Sequence, residues 1–156
     1  MSKFSNRLNR FNLVGRTVPV QIPELGPDAV LDVLSTGPAN KDYFNEVLRI
    51  GGKELRSKGK SPDLTVKEIR KDRLEQAKLF ARHVVAGWVG VYDDEGNEVE
   101  FCEANVLELL TELVETAPMI FDRLRDAAGD DESFYGEAAP DAEELAENSP
   151  TGSSGS

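Results

Sequence analysis

Two short segments of alternating hydropathy flank a glycine-containing turn in the second half of the chain. Val89 and Val91 alternate with other residues before the turn, and Val99 and Phe101 do so after it. A period of two places every second side chain on the same face, which is the pattern of a half-buried strand. Residues 93–97 read Asp-Asp-Glu-Gly-Asn, which is turn composition. The sequence therefore predicts a β-hairpin here, and any fold must place an antiparallel pair between the neighbouring helices.

A long helix is predicted before this hairpin. Thr65 and Glu68 have the spacing of a capping box, in which each side chain accepts a backbone N–H of the first turn. Apolar residues then recur at steps of three and four, which predicts a helix to about Ala86 that ends at Gly87. The expected apolar stripe consists of Val66, Ile69, Ala77, Phe80, Ala81, Val84 and Trp88.

Two more helices are predicted after the hairpin. The first runs from Cys102 or Glu103 to about Thr116, and the second covers residues 119–128, with Pro118 suited to its first turn. The apolar face of the first consists of Val106, Leu107, Leu109, Leu110, Leu113 and Val114, and that of the second of Ile120, Phe121 and Leu124.

The N-terminal part predicts strands and one short helix. Residues 17–22 and 29–34 alternate in hydropathy around turn residues, so a second hairpin is expected, with Pro19 on an edge strand. Asn40 is placed to cap a helix to about Arg49, with Tyr43, Phe44, Val47 and Leu48 on its inner face. The glycines at 51 and 52 are expected to end this helix before a basic loop at residues 53–62.

These elements predict a helix-dominated α+β fold in a single domain, with an N-terminal β-hairpin and a second short hairpin between helices. Residues 1–15 are expected to form a basic amphipathic arm, in which Phe4, Leu8 and Phe11 share one face. Residues 16–135 are the expected domain. Residues 136–156 are predicted to be an acidic disordered tail with a Gly/Ser end, because Leu145 is their only large apolar side chain.

Charge divides the chain into two parts of opposite sign. Residues 1–90 carry 16 basic and 10 acidic side chains, whereas residues 91–156 carry 2 basic and 19 acidic ones, giving the net charge of −11. Such a balance argues against a nucleic-acid-binding domain, which needs a surplus of Lys and Arg. The division suggests self-association of the two parts or an acidic tail that meets a basic partner; simple solvation of the tail is the alternative.

Residues 53–82 hold 10 of the basic side chains and only 5 acidic ones. This basic segment is a candidate for docking an acidic partner or the protein's own tail. A solvated helix face with ion pairs between neighbouring turns explains the same pattern.

The sequence lacks the residue combinations of the common catalytic and metal sites. His83 is the only histidine and Cys102 the only cysteine, so paired-histidine, multi-thiolate and disulfide sites are excluded. Residues 93–104 lack the sixth-position Gly and the twelfth-position Glu of a calcium loop. Neither a signal peptide nor an apolar run of transmembrane length is present. We therefore expect a soluble, intracellular protein that is not an enzyme and carries no metal or cofactor.

One continuous stretch resembles a known family. Residues 81–88 read Ala-Arg-His-Val-Val-Ala-Gly-Trp, the hairpin follows, and residues 103–110 read Glu-Ala-Asn-Val-Leu-Glu-Leu-Leu. This order of helix end, Trp-containing hairpin and acidic helix resembles the tail assembly chaperones of long-tailed bacteriophages. Gly37 to Phe44 and the Ser-Phe-Tyr at 133–135 fit the same resemblance, which extends over residues 29–135.

The resemblance implies a non-enzymatic chaperone in the cytoplasm of the infected cell. Members bind the long helical tape measure protein and keep it soluble until tail tube protein polymerises around it, and they usually leave before the virion is complete. A longer form made by ribosomal frameshifting, the tail tube protein and further copies of the chain are additional partners in this interpretation, whereas nucleic acid and membranes are not.

Five aromatic residues are the first candidates for partner contact: Trp88, Tyr92, Phe101, Phe134 and Tyr135. Packing within the hairpin and the core is the alternative role for each of them. Two other functions remain open at the level of sequence. One is a structural tail or neck component that stays in the virion, and the other is an acidic mimic of DNA that inhibits a host protein.

Overall fold

A computed structural model describes residues 3–58 and 65–135, and its three strands form one antiparallel sheet in the order β1-β2-β3. Strands β1 (Thr17–Gln21) and β2 (Val30–Leu34) form the expected N-terminal hairpin, and β3 (Val85–Val89) pairs with the other side of β2. Pro19 lies in the edge strand β1, where its missing N–H leaves no ladder bond unmade. The predicted hairpin and its edge position are thus confirmed.

Helices dominate the rest of the described chain, which confirms the predicted helix-dominated α+β fold class. They are α1 (Ser5–Leu8), α2 (Lys41–Lys58), α3 (Val66–Leu79), α4 (Glu103–Thr116), α5 (Pro118–Gly129) and α6 (Asp131–Tyr135). A 3-10 turn (Asn9–Phe11) follows α1, another (Pro23–Leu25) lies between β1 and β2, and a π-helical turn (Phe80–Val84) follows α3. Helices α4 and α5 agree with their predicted bounds within one residue at each end.

One apolar core lies between the inner face of the sheet and the helices. Leu31 and Val33 of β2 are fully buried, as are Leu110 of α4 and Phe121 of α5. Phe80 meets both Tyr43 and Phe121 edge to face, with ring centroids 5.9 and 5.4 Å away. Burial of this apolar area is the main stabilising contribution to such a fold.

Helix α2 is longer than predicted. It continues through Gly51 and Gly52 to Lys58, so the expected stop at the glycines is wrong, and residues 53–58 of the expected loop are helical. Each glycine costs about 1 kcal/mol within a helix, but that cost alone does not end one. Leu48, expected on the inner face, is 59% exposed. The remainder of the predicted loop, residues 59–62, lies outside the described residues.

The end of the long helix was also predicted wrongly. The α-helix ends at Leu79, widens into the π-helical turn, and gives way to β3 at Val85. Phe80, Ala81 and Val84 keep the helical spacing and face the core, which explains the wrong prediction. Strand pairing with β2 then takes over because residues 85–89, which begin and end with a β-branched valine, can satisfy their backbone groups there. At the other end of the stripe, Val66 and Ile69 are 84% and 43% exposed.

The acidic and basic parts of the chain meet along α3. Arg70 and Arg73 reach Glu115 of α4 and Asp122 of α5, with N···O distances of 2.5 and 3.0 Å. This is the self-association of the two parts that the charge division suggested, and it takes place within the folded domain. The N-terminal cap of α3 is as predicted for Thr65, whose hydroxyl accepts the backbone N–H of Glu68 at 3.1 Å.

A bidentate ion pair joins the turn between β1 and β2 to helix α5. Both terminal nitrogens of Arg123 donate to the carboxylate of Glu24, each at 2.9 Å. These hydrogen bonds hold the pKa of Glu24 at about 2, below its usual value of 4.5. Arg123 thus connects the turn between β1 and β2 to helix α5 in the acidic part of the chain.

We expect the variant Glu24→Gln to lower stability at neutral pH and to lose this effect in acid. The unfolded carboxyl protonates near pH 4.5 and the folded one near pH 2, so the pair stabilises the fold fully above pH 4.5 and loses its contribution as the pH falls towards 2. Urea denaturation over this range measures the difference between wild type and variant. Glu75→Gln, at an exposed position of α3, is the control and should change stability by less than about 0.5 kcal/mol. A difference for Glu24→Gln that does not depend on pH would contradict the prediction.

Candidate partner-binding surface

The second predicted hairpin forms, but it is shorter than expected and begins later. Val99 donates its backbone N–H to the carbonyl of Val91 at 2.8 Å, and Tyr92 is bridged to Glu98. Val89 instead pairs with Val30 of β2. The prediction that Val89 belongs to the hairpin is therefore wrong. Strand β3 pairs with β2, and the chain then enters the hairpin because Gly90, with a φ of +69°, changes the direction of the backbone between them.

Asp93 organises the turn of this hairpin. Its carboxylate accepts the backbone N–H groups of Glu95 and Asn97 at 3.0 and 2.8 Å. The backbone N–H of Asp93 also donates to the carbonyl of Asn97, and its carbonyl accepts the backbone N–H of Gly96. A side chain that closes a loop on its own backbone is typical of Asp in turns.

Trp88 and Phe101 form an aromatic pair beside the hairpin. Their ring centroids are 5.5 Å apart and their planes meet at 83°, an edge-to-face contact. The indole N–H of Trp88 also donates to the carbonyl of Val99 at 2.9 Å. Trp88 therefore packs within the protein and holds the hairpin to the sheet, while Phe101 remains 37% exposed.

Three apolar side chains of residues 89–101 are exposed: Val89, Tyr92 and Phe101, at 60%, 48% and 37%. We call Tyr92 and Phe101 the hairpin surface, because Val89 points to the face of the sheet opposite to Trp88, against which Phe101 packs. Tyr92 lies beside Gly26 in the turn between β1 and β2, with its Cδ2 3.6 Å from the position that a Cβ of Gly26 would take. These exposed apolar side chains make the segment our candidate for an interaction site.

The hairpin surface is surrounded by negative charge. Residues 89–101 contain five acidic side chains and no basic one, and all five are exposed: Asp93, Asp94, Glu95, Glu98 and Glu100. The exposed apolar groups of this segment therefore lie among acidic side chains of the same segment.

The last two aromatic candidates lie at the other end of the described chain. Phe134 is only 4% exposed and joins the packed interior, which is the alternative role considered for it. Tyr135 is half-buried and meets Phe11 of the N-terminal arm, with ring centroids 5.0 Å apart at 85°. The structure thus pairs Trp88 with Phe101 and Tyr135 with Phe11, and the arm is the partner that the sequence did not predict for Tyr135.

A polar groove of about 500 Å³ was not predicted from the sequence. Its lining includes Tyr43, Arg73, Gln76, Asp122 and Arg125. Asp122 accepts from both arginines, at 3.0 and 3.4 Å, and the Tyr43 hydroxyl donates to Gln76 at 2.9 Å. Burial raises the pKa of Tyr43.

The charges of this groove compensate one another. Two arginines face Asp122 and Asp126, so no net charge remains to attract an anion. The two guanidinium groups fix the position of the Asp122 carboxylate. No sequence signal marked the groove, since its residues come from three helices and the segment after β2.

The remaining chemical candidates from the sequence have ordinary surroundings. The backbone carbonyl of His83 accepts the side-chain amide of Asn40 at 2.8 Å, and Cys102 is exposed at the residue before α4. Among the side chains that the structure describes, those of residues 3–52 and 65–135, no group of three or more potential ligands is arranged to hold a metal ion. Over residues 3–58 and 65–135, no helix has the length and apolar composition needed to cross a membrane.

Some cations of the basic segment, residues 53–82, form ion pairs within the protein. Arg70 and Arg73 face acidic residues of α4 and α5, as described above. Lys67, Lys71 and Lys78 are exposed, and within the part of the chain that the structure describes they form no ion pair. The part available to an acidic partner is therefore smaller than the sequence suggested.

Residues 39–145 match the model of a family described as YdaY prophage protein. The matched range makes up about two thirds of the chain and contains α2 to α6, the π-helical turn, β3 and the hairpin. No curated protein and no solved structure matches the chain.

Proposed function

This chain belongs to the YdaY family of prophage proteins, and from that premise we propose that it is a non-enzymatic chaperone of phage tail assembly. In this proposal it binds the tape measure protein in the host cytoplasm, keeps it soluble until tube assembly, and is absent from the mature virion. It needs no cofactor, because shielding an apolar helix from water involves no bond making or breaking.

The hairpin surface is the observation that carries the proposal. Tyr92 and Phe101 keep apolar area exposed although the fold buries a separate apolar core. A long helical partner carries apolar stripes that aggregate when unpaired, and covering such a stripe lowers the exposed apolar area of both molecules. The acidic side chains of residues 89–101 oppose contact between loaded complexes, since like charges repel.

The test is co-expression with the tape measure protein encoded by the same prophage. We expect the wild-type chain to keep this protein in the supernatant after ultracentrifugation, and the double variant Tyr92→Ser with Phe101→Ser to reduce the soluble fraction about 10-fold or more, as loss of an aromatic hot spot does. Leu48→Ser with Met119→Ser is the matched control, because both residues are exposed and lie away from the hairpin. Trp88 fluorescence and circular dichroism verify folding of each variant.

Four outcomes overturn the proposal. A wild-type chain that leaves the tape measure protein insoluble excludes the chaperone role, and an equal loss in the control variant excludes the hairpin surface. Stoichiometric amounts of the chain in purified virions, measured by mass spectrometry, identify a structural tail or neck component instead. Salt-sensitive binding to a host protein in competition with DNA identifies an acidic mimic.

A further inference from the structure

The N-terminal arm presents a second exposed apolar surface with a charge opposite to that of the hairpin. Phe4, Leu8, Phe11 and Val14 are 60%, 54%, 42% and 64% exposed, and we call them the arm surface. Residues 3–16 contain four basic side chains and no acidic one. Arg16 donates to the carbonyls of Asn9 and Arg10 at 3.1 and 2.8 Å, which fixes the arm in a helical conformation against the domain.

We propose that the acidic segment 136–147 folds back onto the arm surface of the same molecule and covers it. This inference goes beyond the proposed function and does not depend on it. The segment carries five acidic side chains and no basic one, and its single large apolar residue is Leu145. Its composition therefore complements both the cations and the exposed apolar groups of the arm.

The place where the described chain ends supports this occupant. Tyr135, the last described residue, contacts Phe11 of the arm at 5.0 Å, so the acidic segment begins on the arm surface itself. Ten extended residues span about 35 Å, whereas the seven helical residues of the arm span only about 12 Å. Leu145 can thus reach any part of the arm without displacing the domain.

The contact of Tyr135 with Phe11, and not the number of unpaired cations, favours the arm over the basic helix α3. Lys3 and Arg7 are exposed, and among the residues that the structure describes neither forms an ion pair. On α3, Arg70 and Arg73 are paired with α4 and α5, whereas Lys67, Lys71 and Lys78 form no ion pair among the described residues. The family match extends to residue 145, so most of this acidic segment belongs to the matched region.

Paramagnetic relaxation enhancement in the full-length chain tests the contact. A nitroxide label is attached at Ala142→Cys in a Cys102→Ser background, and broadening of the amide resonances is mapped. We expect strong broadening across residues 4–14 at low salt and a large decrease near 0.5 M salt, where the screening length is about 4 Å. Broadening centred on Lys67 and Lys71, or broadening of the arm that does not change with salt, would overturn the proposal.

Charge exchange distinguishes a specific contact from simple proximity to Tyr135. Lys3→Glu with Arg7→Glu should abolish the broadening, as should Glu143→Lys with Glu144→Lys, which leaves the arm unchanged. Combining the four substitutions should restore it. Lys67→Glu with Lys71→Glu is the matched control and should have no effect. Failure of the combined variant to regain broadening contradicts the proposal.

A mixed sample separates an internal contact from one between molecules. A ¹⁵N-enriched chain that carries no nitroxide is mixed with a nitroxide-labelled chain at natural isotope abundance. We expect no broadening of the arm in this mixture. Broadening there assigns the arm surface to a second copy and overturns the intramolecular contact. Because no tape measure protein is present, these results are independent of the test of the proposed function.

Discussion

The variant Gly90→Ala is expected to destabilise the protein by roughly 3 kcal/mol, the sum of a strained left-handed backbone and a steric clash. Gly90 has a φ of +69°, and a Cβ at this position would lie 2.5 Å from the carbonyl oxygen of Asp28. That oxygen belongs to the backbone of the turn before β2, so it cannot rotate away as a side chain does. Relief of the clash requires β3 or the turn to shift.

Gly96→Ala is the matched control for this prediction. Gly96 also has a positive φ, +84°, but a Cβ there would meet no atom within 4 Å. We expect a loss of only about 1 kcal/mol, the cost of the backbone conformation alone. Urea denaturation followed by Trp88 fluorescence measures both variants, and equal losses would show that the close approach at Gly90 has no energetic importance.

Phe80→Ala is expected to cost about 3–5 kcal/mol, a large fraction of the stability of a domain of this size. Phe80 is 1% exposed and touches the rings of Tyr43 and Phe121, so its removal leaves a cavity between α2, α5 and the π-helical turn. The surrounding helices are held by further contacts and can close such a cavity only in part.

Calorimetry or urea denaturation provides the measurement. Leu48→Ala, at a position 59% exposed on α2, should change stability by less than about 0.5 kcal/mol and is the control. A loss of less than about 1 kcal/mol for Phe80→Ala would mean that the aromatic cluster is not a principal part of the core.

Only part of the candidate partner-binding surface could be predicted from the sequence. The acidic residues of segment 89–101 can be read directly from the sequence, whereas the exposed fractions of Tyr92 and Phe101 depend on how the segment packs. The contact of Tyr135 with Phe11 joins residues more than a hundred positions apart, and no pattern in either segment indicates it. The groove around Asp122 likewise depends on how three helices are placed, so its residues carried no common signal.

The sequence by itself determined the elements whose signals are local. The N-terminal hairpin follows from alternation around a turn, the start of α3 from the cap at Thr65, and the bounds of α4 and α5 from apolar periodicity. Each of these depends on interactions among residues a few positions apart, which the sequence order already contains.

Only the tertiary structure decided how the central segment is divided and where α2 ends. Phe80 to Val84 satisfy a helical pattern, and Val85 becomes a strand because β2 offers backbone partners that lie fifty positions away. Helix α2 continues through Gly51 because the free-energy cost of a glycine is smaller than the stabilisation from the apolar side chains of α2 that pack against the core. Pairing and packing between distant segments can exceed local preferences of about 1 kcal/mol, and their partners cannot be identified from either segment alone.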